Sequence, residues 1–83
     1  MSFAVRWDAA SHREWRWLWG ESADSGAVRA AGELAETQLA EDPFQGRNLS
    51  EGLWQIIVPP LVIYYSIDTA AQLVRIDDVI PIA

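Results

Sequence analysis

Residues 53–80, LWQIIVPPLVIYYSIDTAAQLVRIDDVI, contain three runs rich in β-branched and aromatic residues, parted only by Pro59-Pro60 and a short TAAQ loop. Runs of this composition favour strands, and connections this short allow only neighbouring antiparallel strands, so the stretch reads as a meander. In the first run Trp54, Ile56 and Val58 share one face and Leu53, Gln55 and Ile57 the other. In the second, Leu61, Ile63, Tyr65 and Ile67 alternate with Val62, Tyr64, Ser66 and Asp68, and the first set is predicted to meet a helical layer. The third places Val74 and Ile76 inward against outward Leu73, Arg75 and Asp77; Val79 and Ile80 leave its end ambiguous, and Pro81 finishes it.

Upstream of the meander, Gly46 to Gly52 (GRNLSEG) reads as a loop, and Pro43 ends a helix predicted from about Gly26 to Glu41. Val28, Ala31, Ala35 and Leu39 form its inner stripe, widened by Ala27, Ala30 and Leu34, while Glu33, Glu36, Glu41 and Asp42 face water. Asp24 or Ser25 can cap it, and ESADSG connects it to an earlier helix that Asp8 or Ser11 can cap and Gly20 stops. In that first helix Trp15, Leu18 and Trp19 point inward. Trp17 lies on the opposite side one turn from Arg13, either stacked under that guanidinium or exposed for a partner. Ser2 to Trp7 alternates as a half-buried strand. The expected fold is α+β: an N-terminal strand, an α-helical hairpin, then a three-stranded antiparallel meander, with the helices packed on one face of a four-stranded sheet. Residues 1–83 form one domain.

Composition narrows the function. The chain carries twelve carboxylates against six arginines and no lysine, a net charge of −6, which disfavours direct nucleic-acid binding. The local exception is His12, Arg13 and Arg16, three side chains too few to outweigh a solvated face balanced by Glu14 and Glu21. With no cysteine there is no disulfide, thiolate metal site or thiol nucleophile. No apolar run approaches the roughly 20 residues that span a bilayer, and MSFAVRWD lacks the layout of a secretory signal, so a cytoplasmic protein without a membrane partner is expected. His12 has no second ligand at metal spacing and is expected at the core edge beside Trp15 and Trp19; no metal or cofactor is implied. Asp77 and Asp78, adjacent on a strand, are expected on opposite faces and so unable to act as a pair.

LAEDPF, a glycine-containing loop, Leu49, Glu51-Gly52-Leu53 and a strand opening on Trp54, followed by VPPLVIYYSID, resemble the RelE/ParE family of type II toxin–antitoxin toxins, the plasmid stabilisation superfamily. The resemblance covers residues 34–79 through these motifs and the N-terminal elements through their order. It implies a co-encoded antitoxin as partner, and an activity that is either cleavage of ribosome-bound messenger RNA or inhibition of DNA gyrase. The ribonuclease branch uses clustered basic side chains on the sheet, sometimes with a C-terminal tyrosine. Here Gln55 and Ile57 stand where that branch has two arginines, Val62 replaces a third, Asp77 and Asp78 occupy the place of a Leu-Arg pair, and Ala83 is reached without a closing Arg or Tyr. Two unit charges 4 Å apart interact by about 4 kcal/mol at an effective dielectric of 20, so a phosphate beside Asp77 and Asp78 would be repelled. Arg47, Gln55, Tyr64 and Arg75 are the polar residues left as weak catalytic candidates.

Five tryptophans in 83 residues exceed what so small a core easily buries. Tryptophan is enriched at binding hot spots, and Trp17, Trp54, Tyr64, Arg13 and Arg16 are the expected partner contacts, with a homodimer as a further possibility. The two functional expectations are a toxin-like component held by an antitoxin and acting through protein binding, or a non-toxic RelE/ParE-like interaction module.

Overall fold

Asp8 ends the first strand and starts the first helix by the same bond: its carboxylate accepts a hydrogen bond from the Ser11 backbone N–H at 2.9 Å, the N-cap arrangement. That bond, together with a second donated by the Ser11 hydroxyl at 3.2 Å, holds the Asp8 carboxyl below the usual carboxylate range. The computed structural model describes residues 2–82. Its order is β1 (Ala4–Trp7), α1 (Ala9–Glu21), α2 (Ser25–Glu41), a 3-10 turn (Pro43–Gln45), β2 (Arg47–Ser50), β3 (Leu53–Val58), β4 (Leu61–Asp68) and β5 (Leu73–Pro81). The strands form one sheet in the order β1-β5-β4-β3-β2, with β1 parallel to β5 and every other pairing antiparallel.

The sheet therefore has five strands where the sequence predicts four. The additional one is β2, inside the stretch read as a loop. All four of its residues are exposed, so no burial alternation marks it; backbone pairing onto β3 and the turn at Gly52 create it. Gly52 sits at φ 79°, a left-handed conformation that costs glycine little. Gly46 is needed for a different reason: a Cβ there would collide with the Tyr65 hydroxyl and the Gln55 carbonyl.

Both helices cover one face of the sheet. Leu61, Ile63, Tyr65, Val74, Ile76 and Val79 are fully buried beneath them, with Ile56 and Val58 beside. The ambiguous end of β5 is resolved by a bulge: Tyr65 pairs with Ile76 and Tyr64 with Asp78, leaving Asp77 without a register partner. The extra residue shifts the alternation by one, which turns Val79 inward and Ile80 outward. It also corrects the expectation for Asp77 and Asp78, which both lie between inward residues and so share the outer side.

Trp15 is the centre of the helical layer. Its ring stacks on Trp7 with centroids 4.4 Å apart and planes 7° from parallel, meets Trp19 edge-on at 4.9 Å, and its indole N–H donates to the Val28 carbonyl at 3.0 Å. The space for it comes from Gly32, where any Cβ would collide with the Trp15 ring. The inner stripe of α2 accordingly uses Gly32 in place of Ala30 and Leu34, both of which are exposed. Helix α1 runs one residue past Gly20, and Glu36, expected in solvent, is half-buried and accepts a hydrogen bond from Trp7 Nε1 at 3.0 Å. His12 packs edge-on to Trp7 and Trp15, not to Trp19.

Tyr65 ties the turn after α2 to the sheet by donating its hydroxyl proton to the Pro43 carbonyl at 2.7 Å. Burial pushes its phenol up to about 12. The unfolded chain loses this proton near pH 10, so above that pH it binds fewer protons than the native state and stability falls until the native phenol also ionises. Urea unfolding followed between pH 9 and 12 is expected to show a midpoint that drops as pH rises through this window; in Tyr65→Phe that part of the drop should vanish.

Candidate functional site

Two surfaces carry the residues selected from the sequence: the sheet face away from the helices and the solvent side of α1. On the sheet face, register builds the first. Arg47 on β2 pairs with Gln55 on β3, Gln55 with Tyr64 on β4, and Tyr64 with Asp78 on β5, giving one transverse row across four strands. Within it Gln55 Nε2 donates to the Tyr64 hydroxyl at 3.2 Å. The adjacent row is apolar, Ile57–Val62–Ile80, with Ile57 58% and Ile80 40% exposed.

Arg75, the fourth candidate, lies in a different row. It pairs with Ser66 and, across the parallel edge, with Arg6, a cation that no local motif singles out. Arg75 Nε donates to Asp77 Oδ1 at 2.7 Å, which holds the guanidinium firmly charged and spends it on a neighbour. Arg6 and Arg47 make no ion pair among the described residues, but they stand at opposite edges of the sheet, on β1 and β2. Arg6 and Arg75 are thus neighbours at one edge of this face, and Arg47 stands apart from them at the other.

On α1, Trp17 is 58% exposed. Its ring stacks under no guanidinium; the one cation–π contact among the described residues is Arg29 over Trp19, 5.3 Å from the ring centroid. Trp17 forms a ridge between two open depressions of about 540 and 510 Å³, one lined by Arg13, Arg16, Trp19, Gly20 and Ser25, the other by Ala10, Arg13 and Glu14. Neither Arg13 nor Arg16 makes an ion pair among the described residues. The buried Trp19 Nε1–H has no acceptor among the described residues.

The five expected partner contacts thus separate. Arg13, Arg16 and Trp17 form one patch. Tyr64 is on the other side of the molecule, across the sheet. Trp54 is half-buried on the helix side, against Phe44 at 5.6 Å and Tyr65 at 6.4 Å, and belongs with the core.

No family model matches this sequence, and no curated protein matches it by sequence. Solved structures do match it. A chain of the toxin–antitoxin complex RelBE2 from Mycobacterium tuberculosis superposes with TM-score 0.82 at 21% identity, covering 98% of this chain and 92% of that one. The fold is that of the RelE toxins. The archaeal RelE–RelB complex from Pyrococcus horikoshii OT3 gives TM-score 0.74 at 11% identity, over 100% of this chain and 98% of that one.

On this RelE-like sheet, the positions compared with the ribonuclease branch do come together. Gln55, Ile57, Val62 and Asp78 all lie on the outer face, in two adjacent rows. What they assemble is a neutral and apolar surface with an acid at one end. Ala83, where the sequence comparison ends, and Met1, where the signal reading begins, lie outside the described residues. Among the described residues no helix is long and apolar enough to cross a membrane.

Proposed function

We propose that this chain is a toxin-like component of a type II toxin–antitoxin system that works by binding protein and lacks RelE-type ribonuclease activity. The observation that carries the reading is the outer sheet face: a RelE-like scaffold whose compared positions hold Gln55, Ile57, Val62 and Asp78 in place of cations. Phosphoryl chemistry without a metal requires positive charge where the transition state develops negative charge. Here the guanidiniums of the sheet strands are Arg47 on the edge strand β2, Arg75, which is hydrogen-bonded to Asp77, and Arg6 beside it on the opposite edge.

The patch of Arg13, Arg16 and Trp17 is the proposed antitoxin contact. It presents an exposed indole beside two arginines that make no ion pair among the described residues, the residue types that dominate binding energy at interfaces. Its complement is a segment with an apolar anchor and carboxylates.

Induced expression of the gene alone and with each adjoining small reading frame tests the proposal. Growth arrest relieved by a neighbour whose product co-purifies with this chain is the expected result. Harmless expression, with no co-purifying neighbour, would select the alternative of a non-toxic interaction module.

A further inference from the structure

The outer sheet face has a self-complementary pattern, and we infer that it is the contact between two copies of this chain, packed sheet against sheet about a two-fold axis running along β4. Such an axis keeps each transverse row at its own level and exchanges β3 with β5. In the apolar row Val62 then meets Val62 of the second copy, and Ile57 meets Ile80 twice. In the polar row Gln55 lies opposite Asp78, an amide donor against a carboxylate, and Tyr64 lies beside its own copy.

Charge selects the second copy as the occupant. The polar row has its cation, Arg47, at the β2 end and its anion, Asp78, at the β5 end. The two-fold reverses one row over the other, so Arg47 comes within about one strand spacing, ~4.8 Å sideways, of the opposite Asp78. The guanidinium spans that offset across sheets packed ~10 Å apart. Arg6 and Arg75 fall over the β2 and β3 side of the other copy, two residues along the strands from the row that holds its Arg47. An isologous contact repeats each favourable pair twice, whereas a nucleic acid would meet an apolar row and an acid. The contact is independent of the α1 patch, which faces the opposite way, so a dimer leaves that patch open.

Sedimentation equilibrium over a wide concentration range, with the purified native chain, is expected to show monomer–dimer exchange. Asp78→Arg should weaken association at least ten-fold, and combining it with Arg47→Asp should restore it. The chain has no cysteine, so Val62→Cys and, as control, Ala10→Cys can each be treated with a short bismaleimide, which requires no change to the charged row. Several-fold more cross-linked dimer for Val62→Cys than for Ala10→Cys is expected. A native chain that stays monomeric, a double variant that fails to recover, or cross-linking no greater at Val62→Cys than at Ala10→Cys would each overturn the inference.

Discussion

Trp15→Ala is expected to leave the protein largely unfolded at growth temperature. Trp15 is 4% exposed, stacks on Trp7, meets Trp19 and His12 edge-on, and fills the hollow that Gly32 leaves in α2. Truncating a buried tryptophan costs about 3–5 kcal/mol, because the transfer free energy of the ring is lost and the cavity closes only in part. Two further losses act in the same direction. The Val28 carbonyl loses its indole donor, and Trp7 loses the surface that keeps it half-buried. A domain of this length has roughly 4–12 kcal/mol in total, with no disulfide to hold it. A far-UV circular dichroism melt should show the transition shifted down by tens of degrees or absent; a shift of only a few degrees would mean that the tryptophan cluster does not hold the helices to the sheet.

The second large effect separates binding from folding. Trp17→Ala removes an indole that is 58% exposed and lies outside the core cluster, so the melting curve should coincide with that of the native chain. If the α1 patch is the antitoxin contact, loss of this anchor should weaken the complex by about 2–4 kcal/mol, roughly 30- to 1000-fold in Kd. Titration calorimetry with the adjoining-frame product that relieves growth arrest measures it. An unchanged Kd would move the interface elsewhere, with the sheet face as the next surface to test.

Much of the fold was legible because its core residues announce themselves by period. Leu61, Ile63 and Tyr65 recur at every second position, Val28, Ala31, Ala35 and Leu39 at helical spacing, and all are buried as their spacing requires. The missed features share a different cause. Strand β2 is exposed throughout, so it leaves no hydrophobic trace and exists through backbone pairing. Gly32 has no side chain to register as apolar, and its role shows only when the Trp15 ring is placed over it. The bulge at Asp77 changes which of Val79 and Ile80 faces inward without altering composition.

The candidate sites divide in the same way. Arg13, Arg16 and Trp17 lie within two helical turns, so local spacing suffices to bring them together. The row Arg47–Gln55–Tyr64–Asp78 draws on four strands and depends on their register, one of them unforeseen. Three of its members were selected singly as polar residues left near a presumed catalytic face; the sheet turns them into a charge-polarised line with an apolar row beside it. Trp54 was equally placed by its alternation for core or contact, and Phe44 and Tyr65 enclose it.

The most direct measurement of the central claim is the mapping of messenger RNA 5′ ends after purified native protein is incubated with translating ribosomes. A face built of Gln55, Ile57, Val62 and Asp78 predicts an end pattern identical to that of ribosomes without the protein. New ends at defined codon positions, diminished by Tyr64→Phe or Arg75→Ala, would contradict it.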